Sequence, residues 1–277
     1  MNIRTLHLPF RVGATSYIIA DDLLPNARFL AEFVQDMQLV LFDVPNGPSN
    51  LPDLETVKAL AALGQTCDLT YTVHLIEDVA PEESPLPNTS LRKAHDVISR
   101  TALLMPWAYV FHLDGRAVRA PETPPALLTA WQRQIGHAID QVAQWAGDAT
   151  RLAVENLEGY PPAFVTPALA NTSASRCVDV GHLWLDGHDP LPWLQAALPQ
   201  TRVVHLHGLY EGRDHHSIAH TPPAMLDPII DLLLTQDYTG VLTLEIFGEE
   251  DFWSSLEALQ ASVDRCRQRQ NSPPTAK

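Results

Sequence analysis

Two hydrophobic rhythms alternate along the chain. Short, apolar, β-branched-rich runs recur at residues 11–19, 38–44, 70–76, 108–113, 151–157, 176–180, 202–207 and 240–247. Several are apolar almost without interruption, as in Leu39-Val40-Leu41-Phe42. That pattern suits strands covered on both faces, as in a parallel sheet. Between them lie segments with apolar positions at helical spacing. One is Leu54, Val57, Leu60 and Ala61, another Leu127, Leu128, Trp131, Ile135, Ile139 and Val142, and a third Met225, Ile229, Leu232 and Leu233. Pro190, Pro222 and Pro223 fall where helices start, a position at which the missing N–H of proline costs little. Thr123 is expected to cap the helix that follows the proline-marked connection 121–125.

Eight strand-like runs, each followed by a helix-like segment, predict an α/β protein built as a single (β/α)8 barrel. A doubly wound open sheet is the rival, but its glycine-rich fingerprint after the first strand is missing, because Gly13 stands alone. No linker divides the chain. The expectation is one barrel domain over residues 1–267 and a flexible polar tail at 268–277. Three prolines in 80–88 predict a loop there.

A barrel enzyme builds its site from the C-terminal ends of its strands. From the third strand onward those ends read Val73-His74, Phe111-His112, Val154-Glu155, Val178-Asp179, Val204-His205 and Leu244-Glu245. Any one of these has a commonplace explanation, as a satisfied histidine or a salt-bridge partner. Six in succession do not. A buried carboxylate is costly unless paired or bound to a metal, and three converging at one mouth repel each other. Divalent cations answer both problems, and zinc accepts imidazole with carboxylate readily. His182, three residues after Asp179, joins the set. Two or more close metal ions suit in-line displacement at phosphorus. After the seventh strand, Gly212-Arg213-Asp214-His215-His216-Ser217 offers a further ligand or a phosphate contact. His207 is read as structural or as a support to a ligand, and His95 and His137 as helix-surface residues.

Charge narrows the substrate class. The 277 residues carry 18 Lys plus Arg against 33 Asp plus Glu, a formal net charge of −15. Nucleic-acid binders normally show a basic surface, so no nucleic-acid partner is expected. No apolar run approaches the roughly 20 residues that span a bilayer, so no membrane partner is expected. The N-terminal residues lack the pattern of a signal peptide. Cys67, Cys177 and Cys266 are too scattered for a disulfide framework, which points to a reducing cytoplasm.

Taken together, the strand-end residues resemble the xylose isomerase-like barrels, and within them the endonuclease IV branch. That resemblance implies a zinc cluster in which His74 and His112 serve one ion. Glu155 would bridge to a second, completed by Asp179, His205 and Glu245, and His182 and His215 would serve a third. In one place the sequence departs from the family. The family carries Asp, one spacer and His after the seventh strand, whereas here Arg213 takes the Asp position and Asp214 abuts His215. Asp214 is the candidate replacement ligand, and Arg213 a candidate phosphate contact.

Longer stretches are similar to the cobamide-remodelling phosphodiesterases. They include Gly13-Ala14-Thr15-Ser16-Tyr17-Ile18, Leu69-Thr70-Tyr71-Thr72-Val73-His74-Leu75, Trp107-Ala108-Tyr109-Val110-Phe111-His112-Leu113-Asp114-Gly115 and Val203-Val204-His205-Leu206-His207-Gly208. This similarity implies hydrolysis of the cobamide nucleotide loop at the phosphoribosyl bond, with a corrinoid as substrate. It implies two or three divalent ions, zinc first, with manganese or iron as alternatives. Glu155 and Glu245 are the expected catalytic groups, and Asn156 and Arg213 the expected substrate contacts. Tyr17, Trp107, Tyr160 and Trp184 are candidates for an apolar rim. A sugar isomerase or epimerase with one metal on Glu155, Asp179, His205 and Glu245 is the alternative. It has no need of His74 and His112. An endonuclease IV-like repair enzyme fits the charge less well, and a non-catalytic corrinoid binder needs no such ligand set.

Overall fold

In the computed structural model, which describes residues 3–81 and 89–271, eight parallel strands close on one another. They are β1 (Arg11–Thr15), β2 (Asp36–Val40), β3 (Thr70–His74), β4 (Ala108–Phe111), β5 (Leu152–Glu155), β6 (Ser175–Asp179), β7 (Thr201–Leu206) and β10 (Val241–Leu244). Neighbours follow chain order, and β10 pairs with β1 to complete the ring. The (β/α)8 barrel read from the sequence is the fold observed. Between β7 and β10 the chain makes an excursion, an antiparallel hairpin of β8 (Gly208–Tyr210) and β9 (Arg213–His216), which the sequence pattern did not announce.

The helices are α1 (Leu23–Leu30), α2 (Leu54–Cys67), α3 (Thr89–Thr101), α4 (Pro125–Ala146), α5 (Thr166–Leu169), α6 (Val180–Leu185), α7 (Pro190–Ala197), α8 (Pro223–Thr235) and α9 (Glu249–Asn271). Helix α4 buries Trp131, Ile135, Ala138, Ile139 and Val142, the stripe its spacing announced. Asp53 caps α2 by accepting from the Thr56 N–H at 2.8 Å. Thr123 does not cap α4, whose N-cap is Pro124.

Strand limits differ from the sequence reading. β2 begins at Asp36 and ends at Val40, so residues 41–44 lie beyond it. β1 ends at Thr15. Helix α9 runs on to Asn271, so residues 268–271 are helical and not a tail, and 272–277 lie outside the described residues. Most of the proline-marked loop, 82–88, also lies outside them. Among the described residues, no helix is long and apolar enough to cross a membrane.

Most of the apolar core sits between strands and helices. Inside the barrel the filling is small, made of Ala108, Val110, Ala153, Cys177 and Val203, with Trp107 against it at the strands' N-terminal end. There the Trp107 indole donates to the Arg202 carbonyl at 3.1 Å, and the Arg202 guanidinium stacks 4.2 Å from its ring. Trp107 is therefore at the opposite end from the rim expected of it. The interior is also polar. Asp36, Gln38, Thr72 and Thr243 are all fully buried, and burial pushes the Asp36 carboxyl up to about 6 against the hydrogen bond that Thr70 donates at 2.7 Å.

Candidate metal centre

The parallel register brings the strand ends level at one mouth, so that the six predicted residues meet. Glu155, Asp179 and His205 are fully buried there, with His182 and Glu245 nearly so. Each histidine commits one ring nitrogen to a fixed neighbour, and that fixes which nitrogen is left. His74 Nδ1 lies 2.8 Å from the Leu75 carbonyl and His112 Nδ1 lies 3.1 Å from Asp78 Oδ1. Both acceptors require Nδ1–H, so both rings present Nε2. His205 is reversed. Its Nε2 lies 2.8 Å from Gln38 Oε1, and its Nδ1 faces inward.

Two cages result. In the first, Glu155 Oε2 stands 3.4 Å from His74 Nε2 and 3.3 Å from His112 Nε2. In the second, His205 Nδ1 stands 3.2 Å from Glu155 Oε1, 3.1 Å from Glu245 Oε2 and 3.7 Å from Asp179 Oδ2. Ligands around a tetrahedral zinc ion, each at about 2.0–2.2 Å from it, sit roughly 3.3 Å apart. His112 Nε2, Glu155 Oε2 and Asp179 Oδ2 are buried without a hydrogen-bond partner, which is unusual for polar atoms in a folded interior. The second cage alone gathers three carboxylates, so cations are the natural complement. These residues fit divalent ions, and Glu155 offers one oxygen to each cage.

Electrostatics agree with the geometry. Burial alone would raise the Glu155 carboxyl, but His205 and His112 hold it well below the usual range. Burial would likewise raise Asp179, but the histidines around it hold it well down. Burial works against charge on His112, yet Glu155 and Asp78 push it up to about 10. His182 rises to about 9 because Asp179 and Glu155 outweigh its burial.

The remaining candidates are placed as follows. His182 and His215 stand at the outer edge of the cages, with Asp214 3.9 Å from each. His216 turns to Asp251 at 3.6 Å. Asn156, expected at the substrate, donates to the Asp179 carbonyl and accepts from the Asp179 N–H, at 3.0 and 2.9 Å. Its amide ties β5 to β6 and does not line the cleft above the carboxylates. Arg213 is exposed on β9 and does not line the cleft either. Trp184 is buried in α6. Tyr17 does lie at the rim, 36% exposed, edge-on to Phe247 at 6.3 Å. The cleft, about 500 Å³, has Tyr160, Arg116 and Arg119 along one wall and Phe247 on another. Arg119 stacks 5.1 Å from the Tyr160 ring.

Gln38, Asp78, Arg116, Arg119 and Glu158 were missed. Gln38 is fully buried and donates through Nε2 to Glu245 Oε1 at 2.9 Å while its Oε1 holds His205. Glu245 can only accept, which fixes the amide's orientation. Arg116 and Arg119 come from a loop with no pattern to mark them.

The hairpin carrying Asp214 and His215 is fastened by hydroxyls. The Ile218 N–H donates to Ser255 Oγ of α9 at 3.1 Å, and Ser217 Oγ meets Ser254 Oγ at 2.7 Å. Gly208 lets the hairpin return closely, since a Cβ there would overlap the Ser217 backbone.

A family model described as xylose isomerase-like TIM barrel matches residues 31–269. No curated protein matches the chain. Among solved structures, a D-tagatose 3-epimerase-like protein superposes with a TM-score of 0.72 at 15% identity, covering 94% of this chain and 99% of that one. Endonuclease IV from Thermus thermophilus does so at 0.64 and 21%, covering 92% and 99%. Another Thermus thermophilus protein, soaked with ZnCl2, gives 0.61 and 23%, covering 93% and 99%. At such identities these likenesses concern the fold.

Proposed function

The chain belongs to the xylose isomerase-like TIM barrel family, and from that premise we propose that it is a metal-dependent phosphodiesterase that hydrolyses the phosphoribosyl bond in the nucleotide loop of cobamides. The products are cobinamide phosphate and a lower-ligand riboside. The observation that carries this reading is Glu155, with Oε2 facing His74 and His112 and Oε1 facing His205. A single-ion site has no use for the first of those cages.

Bound divalent ions would supply an activated water and charge stabilisation for the phosphoryl oxygens. The chain's own part is to hold and aim. Asp78 and Gln38 orient His112 and His205, so these rings need not reorganise during reaction. Arg119 is the cationic group of the cleft wall available to an anionic group, since Arg116 is already paired with Asp114 at 2.6 Å. About 500 Å³ accommodates a phosphodiester and one of its arms, with the bulk of a corrinoid outside the rim. The net charge of −15 supports a small, amide-rich substrate over a polyanion.

The test is incubation of the metal-loaded protein with adenosylcobalamin, followed by chromatography. Cobinamide phosphate is the expected product. Intact adenosylcobalamin in the presence of zinc, manganese and iron in turn would reject the reading.

One observation favours a second reading. Glu155, Asp179, His205 and Glu245 form a complete four-residue cage by themselves, which is all a one-metal sugar epimerase requires. A metal content of one ion per chain, with epimerisation of a ketose, would replace the first reading by this one.

A further inference from the structure

We propose that the outer face of β5 and β6 carries a binding site for a small organic carboxylate with an apolar body, held by Arg176 in the groove between α5 and α7. The site lies outside the barrel, and it stands or falls separately from the phosphodiesterase reading.

The groove follows from a helix that stops early. The outer faces of barrel strands are ordinarily covered by the ring of helices. Here β5 and β6 are joined through α5, a single turn of four residues, whereas α4 has 22. Pro161 and Pro162 stand ahead of α5. Beyond it, Thr172 Oγ1 donates to the Leu169 carbonyl at 3.1 Å and accepts from the Ala174 N–H at 3.3 Å, which turns the chain away from helix and into β6. Part of the sheet's outer face is left open.

Alternation along β6 fixes what stands there. Cys177 packs inside the barrel with Val203, and Asp179 enters the second cage, so Arg176 and Val178 point outward. Val165 and Leu169 form one wall. On α7, Trp193, Ala196 and Ala197 are spaced i, i+3, i+4 and share the face that forms the other. The space between is about 530 Å³, the size of a small-molecule site. Trp193 is 41% exposed at its lip.

Arg176 separates this groove from a packing gap. A guanidinium has five N–H donors, and the hydrogen bond it makes is from Nη1 to Thr166 Oγ1 at 3.2 Å. Burial pulls its pKa down with no charged neighbour to oppose the shift. Arg4 and Arg202 are depressed by burial too, but both are provided for. Arg4 donates to the Val34, Cys67 and Asp68 carbonyls. Arg202 donates to the Trp107 carbonyl and stacks on its ring. Among the described residues no carboxylate pairs with Arg176, and no Asp or Glu lines the groove, in a chain with 33 of them.

A half-buried cation without a counter-charge is costly. A ligand that brings the anion removes the cost. The planar fork matches a carboxylate through two parallel hydrogen bonds, and Leu169, Leu183, Trp193 and Pro199 offer an apolar surface to the remainder of the ligand.

The experiment is a calorimetric titration of the metal-loaded full chain with 2-naphthoate and with 2-naphthamide, the same rings without the charge. R176Q, A196W and R119Q are titrated alongside, with thermal unfolding to establish that each is folded. The full chain is expected to bind the acid about tenfold or more tighter than the amide, as suits hydrogen bonds to a charged group. R176Q should bind the two equally. A196W, which fills the groove, should lose both. R119Q, whose charge lies in the metal cleft, should leave both titrations as they are. No heat from 2-naphthoate up to its solubility limit, equal affinity for acid and amide, or a preference that survives R176Q overturns the proposal. Loss of binding in R119Q places the anion in the metal cleft and overturns it as well. So does a concentration-dependent dimer in light scattering that A196W dissolves, because the groove would then be covered by a second copy.

Discussion

Gln38 Oε1 lies 2.8 Å from His205 Nε2, at the bottom of the second cage. The same amide donates to Glu245 at 2.9 Å, so one side chain orients two ligands that the chain supplies more than 150 residues later, a separation of 167 residues for His205. Supporting partners of this kind typically contribute 10–100-fold to metal affinity or activity. Q38A is expected to weaken the tight ion by about that factor while the barrel stays folded. Competition against a zinc indicator checks it, and an affinity within twofold of the unaltered protein would show that Gln38 is only filler.

The histidines also predict a pH response. In the metal-free chain His112 titrates near 10 and His182 near 9, both above the ordinary 6.5. A raised folded-state value means the folded state holds the proton more tightly. The stabilisation is full below about pH 6.5 and is lost as pH rises through 9 and 10. Chelator-stripped protein should therefore melt lower at pH 10 than at pH 7. Self-repulsion from the net negative charge adds to this trend, so H112Q is the control, and its decline should be shallower. Metal binding must displace these protons, so zinc affinity should rise over the same range. A stripped protein equally stable at pH 7 and pH 10 would contradict the assignment.

Asp36 gives the opposite sign. Its folded value of about 6 lies above the ordinary 3.8, so ionisation opposes folding. The cost builds between pH 4 and 6 and persists above. Asp36 Oδ1 also has no hydrogen-bond partner. D36N should raise the melting temperature at pH 7.5 by a few degrees, roughly the effect of 1–3 kcal/mol in a chain of this size. At pH 4 the gain should vanish. A variant less stable than the parent at pH 7.5 would mean that the Thr70 hydrogen bond offsets the charge in full.

Gly181 is set by its neighbour. A Cβ at this position would overlap the His207 ring, which has no room to withdraw from the interior. G181A should displace His207 from Asp179, costing about 1–3 kcal/mol by overpacking and loosening the second cage. Calorimetry with a zinc titration checks both, and an unaltered melting temperature would show that the ring can move freely.

How far the sequence revealed the site follows from these same residues. His74, His112, Glu155, Asp179, His205 and Glu245 were legible because each closes an apolar run, and parallel strands present their ends together. Gln38 was not, because it looked like the first residue of a run that starts at Asp36. An interior with Asp36, Gln38 and Thr72 also breaks the expectation of an apolar filling. Trp107 stands at the beginning of its strand, and that position alone assigns it to the end away from the mouth. The placement of Asp214 and His215 was unreadable as geometry, since they lie on an unforeseen hairpin and His215 itself takes a left-handed φ that no glycine at that position announces.

The β8–β9 hairpin pairs with no stave of the barrel and is held at its base by serine hydroxyls. Asp214 and His215 are thus carried by a segment outside the barrel's own strand pairing, whose hydrogen bonds to the inner residues are the His215 contacts to His207 and to the Glu245 carbonyl. Displacement of this hairpin would therefore be felt first at those two contacts, before the register of the strands.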